Sequence, residues 1–271
     1  LYNLSDDQTE YQINDRMSFM RFLGINLCEK VPDAKTIWKF KNDLAETETV
    51  DKLFCMFDEH LENKGLISHK GTIVDATFVD APRQRNSRDE NKKIKNGVIP
   101  EGWEKPENKS KLAQKDIDAD WTKKNGERHF GYKDHVKCDA DSKLITNYSV
   151  TSASVHDSQR CLVFIGQEDE VLYADSAYSG KPIALALPEN CKNQICEKGY
   201  RNSPLTSEQK MNNRRKSRIR CRIEQIFGFM TGAMHGITIR SIGITRAWMN
   251  IGITNLVYNF CRYSYLKRAS A

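Results

Sequence analysis

Two acids in this chain lie in surroundings that rarely hold an acid. Asp75 sits inside the run Gly71-Thr72-Ile73-Val74-Asp75-Ala76-Thr77-Phe78-Val79, and Asp175 inside Val171-Leu172-Tyr173-Ala174-Asp175-Ser176-Ala177-Tyr178. Both runs have the β-branched, aromatic and apolar content of a buried strand, where an ionised Asp is almost never found without a partner. Two such strands point to paired carboxylates holding a cation. A third acid, Glu224, follows on a very basic helix; the three lie 100 and 49 positions apart and can meet only through folding. That combination suits metal-dependent phosphoryl transfer, in which two divalent ions about 3.5–4 Å apart neutralise the attacking and leaving oxygens of an in-line displacement. Hard oxygen ligands select magnesium or manganese over zinc.

The helix carrying Glu224 shows one apolar stripe, Ile219, Ile223, Ile226, Phe227 and Met230, which predicts packing on a sheet. Ser217, Arg220 and Glu224, spaced by three and four, share a face at its edge and put a carboxylate beside a guanidinium. Around them stand Lys210, Arg214, Arg215, Lys216, Arg218 and Arg222. A solvated helix would mix both signs of charge, so this cluster fits a phosphate backbone lying along it. The plainer alternative, Glu224 as an ordinary helical partner of Arg220, stands beside it.

The chain has 271 residues, 39% of them hydrophobic, which suits one large domain with a smaller appendage. Its 42 Lys and Arg against 36 Asp and Glu give a net charge of only +6, but the positive charge is clustered, which favours a polyanion such as nucleic acid. No apolar run approaches the roughly 18–20 residues of a membrane span, and the first residues lack the pattern of a signal peptide, so a cytoplasmic protein is expected. Because residue 1 is Leu, the chain is expected to be a trimmed form or a fragment. Eight cysteines form no paired framework; Cys191 and Cys196, with no His nearby, make a weak zinc signal, and reduced packing thiols are expected.

Residues 1–63 read as three short amphipathic helices: Met17, Met20, Leu23 and Leu27, then after Pro32 Ile37, Phe40 and Leu44, then Val50, Leu53, Phe54, Phe57 and Leu61. They form either a helical cap on the next domain or a DNA-reading helix-turn-helix. From Gly65 the period becomes that of strands. Residues 67–78 give the first, and 130–150 a hairpin turning at Asp139-Ala140-Asp141-Ser142. In its first arm Gly131, Lys133, His135 and Lys137 share a basic face and Phe130, Tyr132 and Val136 an apolar one. A helix over 155–165, strands over 171–175 and 194–197 and a final amphipathic helix over 245–266 complete a mixed sheet with helices on its faces, an α/β arrangement. Between Pro82 and Lys124 the pattern fails: the polar stretch from Arg83 to Lys95 predicts a mobile loop, either a solvated linker or a DNA-tracking arm.

Five segments taken together resemble a known family. Ile73-Val74-Asp75-Ala76-Thr77, Phe130-Gly131-Tyr132-Lys133-Asp134-His135-Val136-Lys137, Val150-Thr151-Ser152-Ala153-Ser154-Val155-His156-Asp157-Ser158, Ala174-Asp175-Ser176-Ala177-Tyr178 and Arg222-Ile223-Glu224-Gln225-Ile226-Phe227-Gly228 are similar to DDE transposases of bacterial insertion sequences, in the IS-five group (IS4-like superfamily). The likeness runs in order from about residue 11 to the C-terminus. It implies an RNase H-like catalytic core over residues 64–271, with the polar insertion at about 83–124, preceded by a small N-terminal helical domain over 1–63. It further implies Asp75, Asp175 and Glu224 as catalytic and metal-binding acids, two Mg2+ or Mn2+ ions, double-stranded DNA as partner, and a homodimer on that DNA. Lys133 joins the basic residues of the third-acid helix as a DNA contact. Ser217 and Thr231 depart from the group, which often has Tyr and Lys there.

Other readings share these residues. An RNase H-like nuclease without strand transfer would use the same acids, and an inactive domesticated remnant would keep the DNA-binding surface alone. Asp157 reads as a helix cap more readily than a catalytic group, and Trp121 and Trp248 as packing groups. Whether Lys133 and His135 face the acids or the opposite side stays open at this level.

Overall fold

The computed structural model describes residues 1–124 and 126–269. The strand bearing the first acid, Thr72–Asp80 (β1), lies centrally in the sheet. On one side it pairs antiparallel with the long strand Glu127–Asp139 (β3), and on the other parallel with Val171–Tyr173 (β5), beyond which lies Lys192–Asn193 (β6). Asp120–Lys124 (β2) and Ile145–Ser152 (β4) share the far edge of β3, β2 along its first half and β4 along its second. The β3–β4 turn is held by Asp139, whose Oδ1 accepts from the Asp141 and Ser142 amides at 3.0 and 2.7 Å. Its Oδ2 accepts from the Ser68 amide and hydroxyl, so these bonds hold the carboxyl below its usual range despite burial.

Alternation along β1 divides the core. Ile73 and Val79 join Tyr132 and Val136 against two long helices, Ser207–Thr231 (α9) and Ile244–Ala269 (α10), and Asp75 lies on this face opposite Val136. Val74 points the other way, into a core with Cys161 and Phe164 of Ser158–Phe164 (α7) and Ile183 of Lys181–Ala186 (α8). This mixed open sheet with helices on both faces is consistent with the RNase H-like fold expected. The stripe of α9 is buried as its periodicity predicts: Ile223, Ile226 and Met230 fully, Ile219 and Phe227 in part. Thr206 caps this helix with Gln209 in a reciprocal capping box.

Four helices precede the sheet where three are predicted: Asp6–Asp15 (α1), Met17–Leu23 (α2), Ala34–Glu46 (α3) and Thr49–Asn63 (α4). Of the first predicted stripe only Met20 is buried, while Met17, Leu23 and Leu27 are exposed. Helices α3 and α4 pack on α10 and β4, through Ala45 and Val50 against Met249 and through the Phe54 ring against Tyr148.

The polar insertion is the main correction to the sequence-based expectation. In place of a structureless loop it contains the helices Arg88–Lys95 (α5) and Lys109–Ala113 (α6) and ends in β2. Its anchor is Trp103, 2% exposed, whose indole donates to Glu90 at 3.0 Å while Lys111 and Lys115 stack over its ring. Ser87 and Glu90 form the capping box that starts α5. One buried aromatic and Ile94 organise a segment whose average polarity hides them. The basic face of β3 is a second correction: Lys133, His135 and Lys137 are buried, because the sheet is covered on both faces. Smaller shifts affect boundaries. The helix read over 155–165 begins at Ser158, the strand read to Asp175 ends at Tyr173, and the strand read over 194–197 lies at Lys192–Asn193.

Candidate active site

β1 and β5 run parallel in one register, with Thr72 beside Leu172 and Ile73 beside Tyr173. Each acid follows two residues beyond that register, and Asp175 is near enough for its charge to act on the Asp75 carboxyl. Asp175 lies just past the end of β5, where its Oδ1 caps a short 3-10 turn, Ser176–Tyr178, by accepting from the Ala177 amide at 2.7 Å. Glu224 arrives from α9, whose apolar stripe seats the helix on the Asp75 face of the sheet.

Arg220 links the acids. Its Nη1 donates to Asp75 Oδ2 at 2.9 Å and its Nη2 to Glu224 Oε1 at 2.6 Å. Asp175 is close enough to raise the guanidinium's pKa together with the other two carboxylates. Burial is the main influence on Asp75 and lifts its pKa to about 6; the Asp175 charge pushes the same way, while the Ala76 amide and Arg220 oppose it. The contact between Arg220 and Glu224 follows from helical spacing, but the one with Asp75 spans 145 positions and no local signal announces it.

Three carboxylates from two strand segments and a helix form a hard-oxygen donor set around charge that the protein only partly neutralises, and this suits a divalent cation of the magnesium or manganese type. Their oxygens are not drawn within 4.8 Å of one another; among the described residues that spacing is met by His69, Glu168 and Asp169. There the Lys137 ammonium already stands among the oxygens, 2.9 Å from Asp169 and 3.6 Å from Glu168. That cluster therefore has its cation.

The basic residues divide into two groups. Lys210, Arg214, Arg215 and Arg218 are exposed along α9. Lys216, Arg220 and Arg222 are partly buried and bonded within the protein, Lys216 to the Ile195 carbonyl at 2.9 Å and Arg222 to the Ala140 carbonyl at 2.6 Å. Lys133 lies on the face opposite Asp75 and donates at 2.7 Å to both Asp157 Oδ1 and the Val155 carbonyl. The contact explains why Asp157, at the start of α7, makes no side-chain cap there. His135 is also on that face, its Nε2 2.8 Å from the Thr151 hydroxyl. Trp121 and Trp248 are packing groups as predicted, partly buried against the core, with the Trp248 indole donating to Asp51.

The transposase DDE domain family matches residues 67–260, a span that takes in all three acids and every strand of the sheet described above. The chain belongs to the transposase DDE domain family. A second match, to a transposase domain, covers residues 1–43 and so includes α1, α2 and most of α3. No solved structure matches the chain. The likeness read from the five motifs therefore holds at the level of the DDE transposases, a family that acts on DNA and generally uses divalent metal ions. Among the described residues no helix is long and apolar enough to cross a membrane.

Proposed function

We propose that this member of the DDE transposases, of the IS-five group (IS4-like superfamily), carries out metal-dependent strand cleavage and strand transfer of an insertion sequence, with Asp75, Asp175 and Glu224 as its catalytic acids. The observation that carries this is the convergence of the three on Arg220, two of them by direct ion pairs across 145 and 4 positions. Divalent cations of the magnesium type, two in number, would be held by these carboxylates and would neutralise charge on the attacking and leaving oxygens. The burial of Asp75 keeps a carboxylate in a partly dehydrated place where its attraction to a cation is strengthened. Water attacks the phosphorus at the element's end, the P–O3′ bond breaks, and the freed 3′-hydroxyl then attacks a phosphodiester of target DNA, displacing its 3′-oxygen. No covalent protein intermediate is required. Lys210, Arg214, Arg215 and Arg218 hold the phosphate backbone of double-stranded DNA along α9, and a homodimer on DNA would bring two ends together. The residue ranges 1–63 and 64–271 serve as helical appendage and catalytic unit.

Asp75→Asn, Asp175→Asn and Glu224→Gln keep side-chain shape and remove one charge each. Each is expected to abolish cleavage of end-bearing DNA in magnesium or manganese while leaving folding and DNA binding largely intact, and calcium should support assembly with little chemistry. A variant that cleaves at near the parent rate removes that residue from the catalytic set. Products joined to a second DNA distinguish a transposase from a nuclease that only cuts.

A further inference from the structure

An open groove of about 720 Å³ begins four residues beyond Asp175 and runs toward the N-terminal half of α9. It is lined by Ser179 and Lys181, by Gln209 and Lys216 of α9, and by Lys198 and Tyr200 on the segment between them in the chain. That segment is docked rather than loose. The Asn213 side chain of α9 accepts from the Glu197 amide and donates to the Glu197 carbonyl, both at 2.9 Å, and Lys216 donates to the Ile195 carbonyl at 2.9 Å. Tyr200 and Ser203 then exchange backbone hydrogen bonds at 3.0 and 3.1 Å, closing a tight turn. On this fixed backbone Tyr200 is 64% exposed.

The charge of the groove is lopsided. Its one acid, Glu197, lies 3.9 Å from Lys216, whereas Lys181 and Lys198 are exposed and make no ion pair among the described residues. An exposed aromatic with free lysines beside it is the arrangement by which unpaired nucleotides are held, the ring stacking on a base and the cations following the backbone. Bases of an intact duplex are already stacked on each other and offer a side chain no face. Lys216 is one helical turn from Arg220, and Ser179 four residues from Asp175, so the groove lies beside the acids in the chain elements that carry them.

We propose that this groove takes a single-stranded stretch of DNA leading away from the acids, with Tyr200 stacking on an unpaired base and Lys181 and Lys198 contacting its phosphates. The proposal rests on the assignment of DNA as substrate of the neighbouring acids, and its test reads binding alone.

Binding of the full chain is measured by fluorescence anisotropy in EDTA with two probes, a blunt duplex and the same duplex carrying a single-stranded overhang. The parent should prefer the overhang. Tyr200→Ala should weaken overhang binding by about five- to 140-fold, the range expected for one stacked base, with blunt-duplex affinity unchanged. Tyr200→Phe, which keeps the ring, should behave as the parent, and Lys181→Ala with Lys198→Ala should reduce the salt dependence for the overhang probe only. In the unmodified protein a 5-bromouracil placed in the overhang should photocrosslink to the peptide containing Tyr200, a readout that needs no variant. Equal losses on both probes, no loss with Tyr200→Ala, or crosslinks confined to other peptides would each overturn the proposal. Cleavage by the acid-to-amide variants, measured separately, would overturn the catalytic assignment while leaving this result standing.

Discussion

Asp134 offers the sharpest test of the electrostatics beneath the site. It faces Thr77 across the β1–β3 pair, two positions from Val136 opposite Asp75, and is completely buried against α10. Asn255 donates to its Oδ1 at 3.2 Å, while Asp134 Oδ2 and Asn255 Oδ1 are buried without partners. Burial lifts the Asp134 pKa to about 8, against only the weak opposing pull of Asn255, so the folded protein holds a proton near neutral pH that the unfolded chain has released. Between the ordinary carboxylate range and pH 8 the native state thus binds more protons than the unfolded one. Stability is full below about pH 4 and falls as pH rises, by roughly 1.4 kcal/mol per pH unit and on the order of 5 kcal/mol over the window. Asp134→Asn cannot ionise, and its amide supplies a donor toward the orphaned Asn255 oxygen. Urea unfolding of parent and variant from pH 4.5 to 8 should show the two diverging, with the variant more stable by several kcal/mol at pH 8. Asp58, lifted to about 7 chiefly by burial, and Asp75 add slopes of the same sign to both proteins, so the difference isolates Asp134. Parallel stability profiles would refute a neutral Asp134, and loss of cleavage in a well-folded variant would show a role in the chemistry.

Three further outcomes concern the insertion and the DNA surface. Trp103→Ala should cost about 3–5 kcal/mol of local stability and expose the segment from Arg88 to Lys115 to limited proteolysis at protease levels the parent withstands; equal cutting of both would show that Trp103 does not organise it. The slope of log affinity for duplex DNA against log salt should flatten by about one unit per lost contact when Arg214, Arg215 and Arg218 are changed together to Ala. Lys133→Ala should leave that slope unchanged and instead destabilise the fold by up to about 3–5 kcal/mol, because it strands the mostly buried Asp157 carboxylate; a flattened slope would return Lys133 to the DNA surface.

Much of the arrangement is legible in local pattern. The apolar stripe of α9, the β-branched runs around Asp75 and Asp175, and the Asp-rich turn after β3 each depend on residues close in sequence, and helical or strand periodicity carries that information directly. The same rule applied to Asp134 would have signalled a further functional acid, yet the folded protein settles that carboxyl by burial and an amide neighbour 121 positions away. Alternation along β3 separates Lys133, His135 and Lys137 from Tyr132 and Val136, but which of the two faces meets the acids depends on the pairing of Asp75 with Val136 and on where α7 and α9 come to rest. The insertion was illegible for a related reason: its order depends on one indole finding Glu90 and two lysines, a contact set that average polarity does not encode. Residue types and short-range spacing thus determined the elements and the candidate acids. Only tertiary structure brought Arg220 to Asp75, paired Lys133 with Asp157 and opened the groove at Tyr200, because each depends on charges and surfaces brought together by strand pairing and helix docking over long stretches of chain.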